Sequence, residues 1–127
     1  MTKQDKQLLL RDLCARLPYN VCVHIRYKEG EPCYGKLTPK DIQWFIDSNI
    51  EVIKPYLRPL SSMTEEEREE FRVGGVMSHN IQNDSWAISA FTPEAYDWLN
   101  AHYFDYRGLI PKGLAIEVTK ENNPYKN

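Results

Sequence analysis

The stretch VCVHIRY, residues 21–27, alternates apolar and polar side chains without a break. Val21, Val23, Ile25 and Tyr27 fall on one face, and Cys22, His24 and Arg26 on the other. A period of two over this length is the signature of a half-buried strand, and a one-residue slip would turn the whole apolar set outward. The turn cluster KEGEP follows, and CYGKL (33–37) reads as the returning strand. The expected unit is a hairpin in which Tyr27 faces Cys33 across a five-residue turn.

Ahead of this hairpin, Leu9, Leu10, Leu13 and Leu17 recur at helical spacing. Thr2 is a good N-cap with Asp5 in the first turn, and Pro18 closes the segment, which predicts an amphipathic helix over 3–16. Its basic residues Lys6, Arg11 and Arg16 are five apart, scattered around the barrel, and are expected to form part of a solvated polar face. Near the other end, FTPEAYDWLNAHYF predicts a second helix, with Thr92 as cap, Pro93 at the first helical position and Phe91 stapled onto Tyr96. Ala95, Trp98, Leu99 and His102 share one face of it, and Gly108 lies where the helix or its following turn would end. GLAIEV (113–118) reads as a closing strand, and 120–127 as a frayed tail.

The middle of the chain is less regular. Thr38-Pro39 followed by Asp41 resembles a helix start, yet Ile42, Trp44, Phe45 and Ile46 are β-rich, and the balance over 38–47 favours a third strand. Ile50 to Ile53 is extended and runs into KPYLRPL, where Pro55 and Pro59 are expected to forbid a regular helix or a central strand. In SSMTEEEREEF, Thr64 with Glu67 forms a capping box, and Ser62 with Glu65 repeats the pattern. Glu65 to Glu67 then occupy a first turn whose dipole favours anions, Arg68 and Arg72 follow Glu65 and Glu69 by three, and Gly74 supplies a stop. The acidic run is thereby explained as a capped, exposed helix rather than a site. Gly74 to Ala90 reads as a loop with a short strand at WAISAF.

At 127 residues the chain fits one domain, with 42% hydrophobic content suited to a modest core. The longest apolar run, Leu8-Leu9-Leu10, is far too short to span a membrane, and the polar start MTKQDKQ is unlike a secretory signal. Three cysteines (Cys14, Cys22, Cys33) without CxxC spacing suit a reducing cytoplasm. Residues 1–60 hold ten Lys/Arg against seven Asp/Glu, and residues 61–127 six against eleven, giving +3 and −5. Neither half has the basic excess of a protein that neutralises phosphates, so nucleic acid is the less favoured partner. Neither GxGxxG, a P-loop nor GxSxG occurs, and no zinc-like ligand spacing is present, so neither a catalytic residue, a metal nor a cofactor is expected. The expected hairpin register reinforces this for metal, since Cys22 and His24 share one strand face while Cys33 joins Val23 and Ile25 on the other.

LLLRDLCARLPY, IKPYLRPLSSMTEEE and DWLNAHYFDYRGLIPKGLAIE together resemble an uncharacterised family of small proteins encoded in gut bacterial (Bacteroides-type) genomes and their prophages. The resemblance covers about half the chain and implies a mobile-element accessory protein; it carries no activity and no catalytic residues to transfer. Two stretches remain as candidate recognition surfaces. HYFDYRG (102–108) interleaves aromatics with an acid and a guanidinium, and KPYLRPL could hold Tyr56 and Arg58 on a stiff extended segment. Tyr56, Arg58, Tyr103, Asp105, Tyr106 and Arg107 are the candidate binding residues, weighed against an internal-anchor role that the residue pattern favours for Asp105 and Arg107. The expected fold is α+β: an N-terminal helix, a small antiparallel sheet of SH3-like character over 21–60, then a mainly helical half over 61–119 with two further helices and a C-terminal strand. The function that fits best is non-catalytic binding of a protein partner by a phage or mobile-element protein. A nucleic-acid or nucleotide binder is the alternative, and a small Cys/His hydrolase comes third.

Overall fold

The computed structural model describes the backbone of residues 1–80, 85–91 and 93–125, and the side chains of 1–71 and 93–125. The class is α+β: four α-helices accompany a mixed five-stranded sheet and a separate two-stranded hairpin. Helix α1 (Lys3–Arg16) begins at a reciprocal capping box, with Thr2 accepting from the Asp5 N–H and the Asp5 carboxylate accepting from the Thr2 N–H. Strands β1 (Cys22–Tyr27) and β2 (Cys33–Lys36) make the hairpin, in a register that pairs Ile25 with Cys33. The expected pairing of Tyr27 with Cys33 is off by two residues, and an even shift preserves the faces. Cys33 therefore stands with Val23 and Ile25, opposite Cys22 and His24.

The expectation of a strand over 38–47 is overturned: Pro39–Ile46 is helix α2. Thr38 and Asp41 cap it reciprocally, Pro39 takes the first turn, and the Asp41 carboxylate also accepts the Tyr27 hydroxyl at 2.8 Å. Burial, and after it the bond to Asp41, pushes the Tyr27 phenol up to about 12. Helix winding buries Phe45 and Asp41 one turn apart and leaves the β-rich Trp44 and Ile46 outside. Trp44 meets the Tyr27 ring edge-on at 5.2 Å, so α2 is fastened to β1 at two points. Local strand propensity lost to a cap and a tertiary contact.

Strand β3 (Ile50–Pro59) runs antiparallel to β1 and occupies a central place, contrary to the expectation from its prolines. The reason is parity. Odd-numbered residues of β3 turn their backbone groups to one edge, where the Val118 N–H donates to the Leu57 carbonyl. Even-numbered residues face the other edge, where the Arg58 N–H donates to the Tyr103 carbonyl. On that second edge the Tyr56 carbonyl accepts from the Tyr125 hydroxyl, which itself accepts from the Cys22 N–H of β1. Pro55 thus points its missing N–H away from β1, and the strand on the odd edge, β7 (Ile116–Glu117), pairs only from Tyr56 onward. A proline is tolerated where no ladder bond is asked of it. β6 (Phe104–Asp105) and β7 both run parallel to β3, so the sheet is mixed rather than antiparallel.

Beyond β3 come α3 (Glu65–Gly74), β4 (Gly75–Asn80), β5 (Ser85–Phe91) and α4 (Pro93–Ala101). β4 and β5 pair antiparallel, so the loop expected over 74–90 contains a two-stranded hairpin, and the half over 61–119 is less helical than expected. The expected cap Thr92 and the Phe91–Tyr96 staple lie outside the described residues and side chains. Two cores result. Leu9 and Leu13 of α1 pack with Val21, Val23, Ile25, Ile53, Leu57 and Leu109, each contributing about 1.5–3 kcal/mol on full burial. Met63, Phe71, Ala95, Leu99 and Phe104 form the second. The tail expected to fray is fastened at Tyr125, whose hydroxyl links Cys22 to Tyr56 and whose ring stacks on Tyr103 at 3.8 Å.

Candidate functional site

Between the two cores sits a buried polar cluster that originates on α1. Asp12 and Arg16 are one helical turn apart, both completely buried, and the Arg16 Nε donates to the Asp12 carboxylate at 2.9 Å. This corrects the expectation of a solvated Arg16. A second Arg16 nitrogen, Nη2, donates to the Phe104 carbonyl of β6, tying α1 to the sheet. The other Asp12 oxygen accepts from Arg107 Nη1 at 2.9 Å, across ninety-five residues of sequence. Arg107 Nη1 also donates to the Tyr106 hydroxyl, which donates in turn to the Asn100 side-chain carbonyl of α4. The Tyr106 ring lies 5.2 Å from the Arg16 guanidinium carbon and 4.6 Å from that of Arg107. Two guanidiniums thus share one carboxylate, and Arg16 Nη1 is left buried without an acceptor among the described residues. A buried pair so incompletely compensated is held in place by geometry more than by net attraction.

Over this cluster opens a cleft of about 400 Å³, lined by Arg11 and Ala15 of α1, Tyr96 and Asn100 of α4, and Tyr106 and Arg107. Each helix contributes a pair of residues four apart, which places both on one face. Tyr96 and Tyr106 meet with ring centroids 5.4 Å apart, forming an aromatic wall. Arg11 is exposed at the rim. Burial first, and after it the Asp97 carboxylate on the same helix as Tyr96, push the Tyr19 phenol up. Counting Arg11, Arg16 and Arg107 against Asp12, the cleft and its floor carry a net charge of +2. Such a site can hold an anionic group against aromatic surface.

Of the six residues expected to bind, only Tyr106 and Arg107 meet in this cleft. Arg58 is held elsewhere: it grips the Glu67 carboxylate with both Nη atoms at 2.7 Å and lies 4.2 Å from the Phe104 ring centroid. The expected Thr64–Glu67 capping box is present, at 3.0 and 3.2 Å, so Glu67 serves two structural partners. Arg58, ahead of the Thr64 contacts, holds the Glu67 carboxyl down at about 2. Asp105 is a buried anchor whose oxygens accept the Leu109 and Ile110 N–H groups at 2.9 Å; it pairs with backbone, not with Arg107. Tyr103 has φ of 62°, an uncommon conformation for a bulky residue, where a glycine commonly follows a helix. Its hydroxyl donates to the Tyr19 carbonyl at 2.6 Å, which with the Tyr125 stack holds it there. Tyr56 lines a separate hollow of about 290 Å³ with Tyr34, Asn122 and Pro124.

Sequence reasoning missed Asp12, Arg11, Tyr96 and Asn100. The Asp12–Arg16 spacing was a visible signal, since a four-residue acid–base pair on a helix is a recognised contact. The distance from residue 12 to residue 107 left no signal at all. His102 packs beside Trp98, its expected companion on one helix face: its ring stacks on Trp98 at 4.0 Å, and Nδ1 donates to the Trp98 carbonyl at 2.8 Å. Neither His24 nor His102 pairs with a carboxylate among the described residues, and no group of three His, Cys, Asp or Glu side chains there is gathered for a metal ion. Among the described residues no helix is long and apolar enough to cross a membrane. No family model, curated protein or solved structure matches the chain.

Proposed function

We propose that this chain is a non-catalytic binding protein that engages a protein partner, acting in the cytoplasm as an accessory protein of a phage or mobile element. The observation that supports the reading is the cleft between α1 and α4, where tyrosine and arginine side chains converge on a buried, cross-linked floor. Tyr and Arg carry a large share of binding energy at protein interfaces. Holding them in place beforehand reduces the ordering that binding would otherwise require. The competing nucleic-acid reading leans on the basic excess of residues 1–60, and that excess is partly engaged internally. Arg16 and Arg58 are each held by a carboxylate at short distance, so they are poor phosphate ligands.

Affinity capture from the native host by the tagged chain, read by mass spectrometry, tests the proposal. The expected result is a protein retained by the wild type and lost from both Arg11→Glu and Tyr96→Ala, with circular dichroism showing both variants folded. Retention unchanged by either substitution, or retention of nucleic acid that moderate salt displaces, counts against it.

A further inference from the structure

We infer that the cleft between α1 and α4 is a receptor for a carboxylate presented by an acidic peptide segment, with Arg11 and Arg107 as its ligands. The inference rests on the protein-binding reading above and specifies what the partner must carry. Its starting point is charge. Asp12 is completely buried and is the only carboxylate that pairs with Arg16 and Arg107 among the described residues, so it balances one of two guanidiniums. Arg11, at the rim of the same cleft, adds a further positive charge and makes no hydrogen bond to a described residue. An incoming anion would complete a balance that the fold leaves open.

The geometry favours a carboxylate. Arg107 uses Nη1 on Asp12 and on the Tyr106 hydroxyl, while Nη2 and Nε make no bond to a described residue. That remaining edge of the guanidinium is a two-donor fork, the shape that receives one carboxylate through paired hydrogen bonds. Asp12 and Tyr106 fix its plane, so the fork is oriented before a ligand arrives. Beside it, the Tyr96–Tyr106 wall offers apolar surface to the methylenes of a Glu side chain or to a neighbouring residue of a peptide. A site built for phosphate would gather more donors around one point; here Arg11 stands on α1 and Arg107 on the segment after α4, spread along the cleft. Spread cations suit consecutive acidic side chains of an extended or helical peptide.

The test uses the intact, ¹⁵N-labelled chain and three probes: hexaglutamate, hexaglutamine and inorganic phosphate, each titrated to about 10 mM at low salt, a range that reaches millimolar affinities. Hexaglutamate is expected to produce saturable shifts at Arg11, Tyr96, Asn100, Tyr106 and Arg107, and hexaglutamine none. Arg11→Gln should weaken hexaglutamate at least about fivefold without moving the melting temperature, because Arg11 makes no structural bond among the described residues; loss of an interfacial charge pair is of that order. Arg107→Lys keeps the charge and removes the fork, and should weaken it further while leaving an amine able to reach Asp12. Shifts that map elsewhere, equal binding of hexaglutamine, indifference to Arg11→Gln, or binding of phosphate alone each overturn the inference. The two readings also separate. A captured partner that survives Arg11→Gln but is lost from Tyr96→Ala sinks the carboxylate receptor and spares protein binding; hexaglutamate seated in the cleft with no protein captured does the reverse.

Discussion

Replacing Asp12 by Asn isolates the charge at the centre of the buried cluster while keeping its shape. In the native chain, the two Asp12 oxygens accept from Arg16 Nε and Arg107 Nη1, both at 2.9 Å. An amide offers one oxygen in place of two and turns two N–H donors toward whichever guanidinium it fails to serve. Arg107 can recover by reaching solvent, since its side chain is 19% exposed, but Arg16 is completely enclosed. Its Nη1 already lacks an acceptor among the described residues, so the substitution leaves a buried cation with little there beyond the Phe104 carbonyl. Breaking a buried pair on one side costs about 3–5 kcal/mol. For a chain of 127 residues, with unfolding entropy near 2.1 cal/mol/K per residue, that corresponds to a fall in melting temperature of about 10–20 °C. Urea unfolding followed by circular dichroism gives the free energy directly. The control is Asp12→Leu with Arg16→Met, which removes both charges and should recover most of the loss, because apolar replacements of buried pairs are often neutral or better. A loss below about 1 kcal/mol for Asp12→Asn, or a double variant as unstable as the single, would refute the argument that Arg16 depends on this carboxylate.

Four further outcomes follow from the same geometry. Tyr125→Phe removes the hydroxyl that joins Cys22 to Tyr56 and should lower stability by about 1–3 kcal/mol in urea unfolding, whereas a frayed tail would show no change. Glu67 has a folded pKa near 2 against an ordinary value of 4.5, so its contribution is complete above about pH 4.5 and fades as pH falls toward 2. Glu67→Gln should therefore flatten the acid limb of the stability profile, and an unchanged limb would show that the Arg58 contact is idle. Thr64→Ala should cost about 0.5–2 kcal/mol through the lost cap, while Glu69→Gln with Glu70→Gln should change stability little, both read from thermal melts. Iodoacetamide should label the exposed Cys14 and Cys33 well before Cys22, which is buried and whose thiol burial pushes up; peptide mapping over time would show the order.

What local chemistry could specify was readable in advance. The Thr2 N-cap with Asp5 in the first turn, the period-two alternation of 21–27 and the Thr64–Glu67 box each rest on residues within one or two turns of each other, and each appears as expected. Face assignment of Cys33 survived a register two residues away from the expected one, because parity alone decides faces. The failures at 38–47, at Pro55 and in the cleft involve partners distant in sequence. Segment 38–47 carried signals for both helix and strand, and the Tyr27 hydroxyl on Asp41 helped decide between them. Pro55 sits in a central strand because its blank edge faces away from β1, a fact of sheet assembly rather than of the KPYLRPL motif. The cleft was half visible: Tyr106 and Arg107 stood out as a motif, but Arg11, Asp12, Tyr96 and Asn100 join them only when α1 and α4 come together. Sequence fixes contacts whose closure needs only a few backbone dihedrals. The meeting of residue 12 with residue 107 depends on the packing of the whole fold, and only the tertiary structure decides it.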